Sequence, residues 1–133
     1  MKKFSLVLFL AVSLFADNQK MQIFKPVSSS CPQSWLEDMQ KNVEEVKVVS
    51  LVDVKNLKNQ IGIPQQMQSC NTSIIDDYVF EGNVPTLAIK DFFKDIPKNA
   101  IGLSLPTYEN DKVEKTVYVI FEDKTYKEFG KYK

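Results

Sequence analysis

The sequence predicts an α/β domain in which helices flank a central mixed sheet. Two observations carry this prediction. Short apolar runs alternate with segments of helical spacing over residues 21–97. Residues 115–129 then hold two alternating runs around the polar stretch Glu-Asp-Lys. Alternation with a period of two is typical of half-buried strands, so the C-terminal part adds a β-hairpin to the sheet.

The first half of the chain predicts a strand, a helix and a second strand. Residues 21–25 form a short apolar run that favours the first strand. Pro32 suits the first turn of the following helix, where its missing N–H would have no partner. Residues 43–53 are rich in valine and predict a buried second strand. The apolar positions of the first helix recur at helical spacing: Trp35, Leu36, Met39 and Val43.

The second helix has a start signal and a stop signal. Asp53 is a good N-cap, Gly62 can close the helix in the left-handed conformation, and Pro64 lies just beyond. Its predicted apolar face consists of Val54, Leu57 and Ile61.

A hairpin, a third helix and a loop complete the pattern. Residues 72–82 predict two strands joined tightly at Asp76-Asp77. The third helix begins near Pro85 and stops before Pro97, and a loop over 98–112 leads to the C-terminal hairpin. The predicted apolar positions of this helix are Leu87, Ile89, Phe92, Phe93 and Ile96.

The order βαβα followed by ββα predicts a thioredoxin-like fold, whose first two strands are parallel. In that fold the loop after the first strand and the loop before the third strand lie side by side. Cys31 is on the first loop and Cys70 is on the second, and these are the two cysteines of the chain. We therefore expect the two sulfur atoms to be close together.

The N-terminus has the pattern of an export signal. Lys2 and Lys3 precede an apolar segment, and a small residue, Ala16, stands before Asp17. The apolar segment is shorter than the roughly 20 residues that span a bilayer. We expect residues 1–16 to be a signal peptide without a lasting membrane anchor. Residues 17–133 would then form one domain in a periplasmic or secreted protein.

Composition excludes several functions. Without residues 1–16, the chain has 15 lysines and 17 acidic residues, and its net charge is near −2. It has no arginine and no basic patch, so nucleic acid is not an expected partner. It has no histidine either, which excludes hydrolases built on a Ser-His or Cys-His pair.

Cys31 and Cys70 support two interpretations. Cys31 lies next to a predicted helix N-terminus, a position that lowers the pKa of a thiol and favours metal ligation. Two cysteines in an exported protein equally favour a structural disulfide. A structural zinc site requires four Cys or His ligands, whereas Cu(I) accepts a low coordination number from thiolate and thioether sulfur. Cys31 and Cys70 are therefore candidate Cu(I) ligands, with Met67 as a possible third.

A redox interpretation is also open. Residues 31–34 read Cys-Pro-Gln-Ser after a strand and before a helix, and they resemble the active site of monothiol glutaredoxins. The second cysteine of a dithiol oxidoreductase is replaced by Ser34, so a redox cycle within this motif is excluded. Cys70 could still resolve a mixed disulfide.

Three separated segments resemble a family of small periplasmic metal-binding proteins of the domain-of-unknown-function type. The family has Tyr-Lys-Ser-Pro-Thr-Cys-Gly-Cys-Cys-Gly-Lys-Trp where residues 24–35 lie here. It has Ser-Cys-His-Thr at residues 69–72 and Tyr-Val-x-Glu-Gly-His-Val-Pro at residues 78–85. The resemblance implies a thioredoxin-like fold and metal binding, and its divergent secreted branch implies copper resistance alongside an efflux system.

The chain departs from the family at its metal ligands. Two of the three cysteines of the first segment are replaced by Ser29 and Pro32, while Cys31 stands at the middle one. Asn71 and Asn83 stand where the family has histidine. We expect an exported, non-enzymatic copper-resistance protein that buffers Cu(I) and passes it to an efflux component. The alternatives are a monothiol redox protein and a module that keeps only a structural Cys31–Cys70 disulfide.

Overall fold

In a computed structural model, the described residues are 20–27, 34–106 and 114–133. Within them, seven strands form one mixed sheet in the order β2-β1-β3-β4-β5-β6-β7. The strands are β1 (Lys20–Pro26), β2 (Glu45–Leu51), β3 (Thr72–Ile75), β4 (Tyr78–Glu81), β5 (Ala100–Ser104), β6 (Lys115–Phe121) and β7 (Tyr126–Tyr132). The helices are α1 (Ser34–Asn42), α2 (Val54–Ile61) and α3 (Thr86–Lys94), and a 3₁₀ turn covers Gln65–Met67.

The helices lie on both faces of the sheet. Neighbouring residues of a strand point to opposite faces, so the sheet has a core cluster on each side. One core cluster joins α1 and α3 to strand residues such as Phe80 and Val119. A second cluster contains the adjacent strand residues Val79 and Ile120, together with Met67. The predicted mixed sheet flanked by helices is confirmed, and so are the parallel β1–β2 pair and the C-terminal β6–β7 hairpin. The more specific thioredoxin-like assignment stays a prediction.

Local turn and cap signals are correct. Asp76 and Asp77 have φ of 49° and 67°, which is the left-handed backbone that a two-residue hairpin turn between β3 and β4 requires. The Asp53 side chain accepts a hydrogen bond from the Asn56 amide at 3.0 Å, and so caps α2. Gly62 ends α2 with φ of 98°. Each of these signals depends on a few neighbouring residues, so the sequence alone specifies it.

Predictions that depended on distant neighbours were less accurate. The strand predicted within 43–53 is an edge strand, and none of the residues of β2 is fully buried. The predicted loop over 98–112 contains β5, which lies between β4 and β6. The parallel β4–β5 pairing makes α3 a crossover helix. On the predicted face of α3, Ile89 and Phe92 are buried whereas Leu87 is 59% exposed.

The predicted signal peptide at 1–16 lies outside the described residues, and the boundary at residue 17 stays a prediction. Among the described residues, no helix is both long enough and apolar enough to cross a bilayer.

A partly buried hydrogen bond between β7 and α3 leads to a pH prediction. The Tyr132 hydroxyl donates a hydrogen bond to Asp91 at 2.9 Å. Burial, followed by this bond and the charge of Asp91, raises the pKa of Tyr132 to about 12. The pKa of Tyr132 is higher in the folded state than its unfolded value of about 10. The hydrogen bond to Asp91 therefore stabilises the fold fully below about pH 10, and this stabilisation disappears as the pH rises through about 12.

We expect an ultraviolet titration of phenolate to show one late transition, which Tyr132→Phe removes and Asp91→Asn shifts to lower pH. A late transition that survives Tyr132→Phe would assign it to another tyrosine.

Candidate functional site

Cys70 lies in the segment between the 3₁₀ turn and β3, at the edge of an open cleft. β1 runs antiparallel to β3 with Phe24 opposite Thr72, so the end of β1 lies next to the segment that carries Cys70. Pro26 and Cys70 both line the cleft, whose volume is about 430 Å³. The other lining residues are Val52, Asp53, Val54, Lys55, Lys58, Gln65, Gln68 and Ser69. The end of β1 therefore lies beside the Cys70 segment, whereas the loop that follows β1 lies outside the described residues, and the proximity of the two loops stays a prediction.

The structure describes the oxidation state of one of the two cysteines. Cys70 is disulfide-bonded and so does not titrate. The other cysteine of the chain, Cys31, lies outside the described residues, as do its neighbours Ser29 and Pro32. The Cys31–Cys70 pairing and the ligand role of Cys31 therefore stay predictions.

A buried ion pair lies directly behind the Cys70 segment. Lys58 on α2 is 5% exposed and Glu81 at the end of β4 is fully buried. The Lys58 ammonium donates a hydrogen bond to a Glu81 carboxylate oxygen, and a second one to the Ser69 carbonyl at 2.9 Å. The Glu81 carboxylate also accepts from the Ser69 amide at 2.7 Å and from the Thr72 hydroxyl at 2.6 Å. One carboxylate therefore anchors the residue before Cys70 and the second residue after it.

The electrostatics of Lys58 reflect its burial. Removal from water disfavours the ammonium form and lowers the pKa of Lys58, while the charge and hydrogen bond of Glu81 oppose part of that shift. The two charges therefore depend on each other, because neither side chain has water to replace its partner.

This pair was not predicted from the sequence. Lys58 stands four residues after Val54 and three before Ile61, so it falls on the predicted apolar face of α2. A lysine on an apolar helix face was the one sign in the sequence that a buried charge needs a partner. Its partner lies 23 residues further along the chain, and helical spacing gives no information about it.

Asn71 and Asn83 also meet at this site. The Asn71 side-chain amide donates to the Asn83 side-chain oxygen at 3.0 Å, and the Gly82 amide donates to the Asn71 carbonyl at 2.8 Å. Asn71 is 4% exposed, and its side-chain oxygen has no protein partner within the described residues. The structure thus brings together the two asparagines that stand where the resembling family has histidine.

Met67 has an apolar environment. It is 5% exposed and belongs to the second core cluster with Ile63, Val79 and Ile120. Its backbone carbonyl accepts a hydrogen bond from the Ser104 hydroxyl at 2.6 Å. This packing favours a core role for its side chain, and its role as a third copper ligand stays a prediction.

The donor set limits the metals that could bind. Over residues 20–27, 34–106 and 114–133, no group of three or more His, Cys, Asp or Glu side chains is arranged to hold a metal ion. Among the described residues that line the cleft, Cys70 is the one that carries a sulfur atom. A sulfur donor favours a soft ion such as Cu(I) over Mg²⁺ or Ca²⁺, which prefer several oxygen ligands.

Comparisons with known proteins support a shared fold. A family model described as "Protein of unknown function, DUF411" matches residues 67–109, which include Cys70 and Asn83 but not the segment at 24–35. A solved structure named copper resistance protein copG, form 1, has a TM-score of 0.72 and 19% identity, and the match covers 85% of this chain and 96% of that one. Form 2 gives 0.70 and 19%, with 86% and 98% covered. No curated protein sequence matches the chain significantly.

At this identity the likeness establishes the fold, which is a mixed sheet with helices on both faces. The class defined by fold and site is therefore a small α/β domain with a cysteine-bearing cleft, similar in fold to proteins named for copper resistance.

Proposed function

We propose that this chain is an exported copper-resistance protein of thioredoxin-like fold that binds Cu(I) through Cys31 and Cys70. The observation that carries the proposal is the position of Cys70 on an open cleft that the end of β1 also lines. Cys31 follows five residues after Pro26, and a span of this length is long enough to allow both thiols to reach one ion. The fold shared with two structures named copper resistance protein supports this choice of metal.

The proposed role is transport of an ion rather than catalysis. Thiolate ligands in an open cleft can exchange with the ligands of an incoming partner without unfolding of the domain. We propose that the protein buffers copper in the periplasm or outside the cell and passes it to an efflux component by such exchange.

The test is an anaerobic Cu(I) titration of the reduced protein against a competing chelator. We expect saturable binding in the wild type and its loss in the Cys31→Ser, Cys70→Ser double variant. Met67→Leu and Met39→Leu form a matched pair of volume-conserving core changes, since both methionines are buried. A weakening in Met67→Leu alone would assign the third ligand. Equal affinity of wild type and double-cysteine variant would overturn the proposal.

A second candidate is a binding module that keeps the disulfide for stability. The disulfide at Cys70 favours it, because an oxidised cysteine cannot ligate copper. Thiol counting on protein from its native compartment separates the two functions. A pair that stays fully oxidised there would support the structural role, whereas reduced thiols would support copper binding.

A further inference from the structure

The buried ion pair directs its hydrogen bonds at the segment that carries Cys70. Besides each other, the Lys58 ammonium and the Glu81 carboxylate bind the carbonyl and the amide of Ser69, and Glu81 also binds the hydroxyl of Thr72. Cys70 is held between these two anchored residues. Lys58, Ser69 and Cys70 all line the same cleft, so the pair lies directly beside the proposed copper site.

Stability alone is a poor explanation for this pair. Desolvation of two charges costs several kcal/mol per ion, and replacement of buried ion pairs by apolar residues of similar volume is often neutral or stabilising. The charged pair instead orients the backbone beside Cys70. Hydrogen bonds to both the amide and the carbonyl of Ser69 fix the orientation of the peptide units next to Cys70.

We propose that Lys58 and Glu81 are positioning residues for the copper site. They hold the backbone at 69–72 so that the Cys70 sulfur meets the ion in one geometry. This inference rests on the proposed copper function. A ligand that is already ordered loses less conformational entropy on binding, and changes in such outer partners typically weaken metal affinity by about 10- to 100-fold.

The experiment compares Cu(I) affinities of reduced variants by chelator competition. We expect Glu81→Gln to bind about 10- to 100-fold more weakly than wild type. Val117→Ala is the matched control, because Val117 is fully buried on β6 and the change destabilises the core away from the Cys70 segment. Its affinity should equal that of wild type under conditions in which both proteins are folded.

A milder pair of variants covers the case in which Glu81→Gln fails to fold. Thr72→Val removes one hydrogen bond to Glu81 and keeps the shape of the side chain, whereas Thr72→Ser keeps the hydroxyl. We expect weaker copper binding in Thr72→Val and near-complete rescue in Thr72→Ser. Unchanged affinity in both Glu81→Gln and Thr72→Val would overturn the inference. An equal loss in Val117→Ala would also overturn it, since any core change would then have the same effect.

A metal-independent measurement separates this inference from the proposed function. Two glutathione molecules reduce the Cys70 disulfide to two thiols and become glutathione disulfide. The equilibrium constant reports how well the fold holds the two sulfur atoms in position to form the disulfide. We expect Glu81→Gln to shift this equilibrium toward the thiols and Val117→Ala to leave it unchanged. If wild type binds no copper, the proposed function fails, and this equilibrium still decides whether the pair positions Cys70.

Discussion

Replacement of Lys58 by methionine should lower the free energy of unfolding by about 3–5 kcal/mol. The change removes the cation and leaves the Glu81 carboxylate fully buried without its charge partner. The lost bond to the Ser69 carbonyl adds to the cost. Urea denaturation at neutral pH measures the effect.

Lys55→Met is the matched control for this prediction. Lys55 lies one turn earlier on α2 and is exposed, so the same change there should stay within about 0.5 kcal/mol. A double Lys58→Met, Glu81→Leu variant should regain part of the stability, because neither charge remains buried although the Ser69 amide and the Thr72 hydroxyl lose their acceptor. A loss below about 1 kcal/mol in Lys58→Met would show that the pair is not desolvated as described.

Gly82→Ala should be the other strongly destabilising change, with a cost of about 2–5 kcal/mol. Gly82 has φ of 77°, which costs an alanine about 1–2 kcal/mol. Its added Cβ would also lie 2.4 Å from the Leu105 carbonyl oxygen and 2.9 Å from the Ser69 Cβ. Because the first of these neighbours is backbone, relief requires movement of the chain, and such overpacking adds about 1–3 kcal/mol.

Gly62→Ala isolates the contribution of that close approach. Gly62 has φ of 98°, yet a Cβ added at this position would meet no neighbouring atom within 4 Å. We expect it to lose the conformational part alone, about 1–2 kcal/mol. Thermal or urea unfolding of the two variants side by side measures the difference. Equal losses would mean that the backbone around Gly82 relaxes freely, contrary to the packing described here.

The features that were predictable from sequence are local. The Asp76-Asp77 turn and the Asp53 and Gly62 caps each depend on a residue type and a few neighbours, and all three are present. Strand β5 was not predicted because it has only five residues and one of them is Gly102. Its position depends on pairing with β4 and β6, which the sequence around it does not encode.

The same distinction applies to the site. The placement of Cys70 near the end of β1 followed from the order of the elements, because a thioredoxin-like fold brings the loop after the first strand beside the loop before the third, and β1 and β3 are neighbours in the observed sheet. The partnership of Lys58 with Glu81, and of Asn71 with Asn83, joins residues from separate elements. Lysine, glutamate and asparagine are all residue types that usually lie at the protein surface. Only the folded structure shows that these four side chains are bonded in pairs.

X-ray absorption at the copper edge, on the reduced protein loaded with Cu(I), tests the central claim most directly. We expect a first coordination shell of sulfur alone, which disappears in the Cys31→Ser, Cys70→Ser variant. A shell of nitrogen and oxygen, or a sulfur shell that persists in that variant, would contradict the assignment of copper to these two thiols.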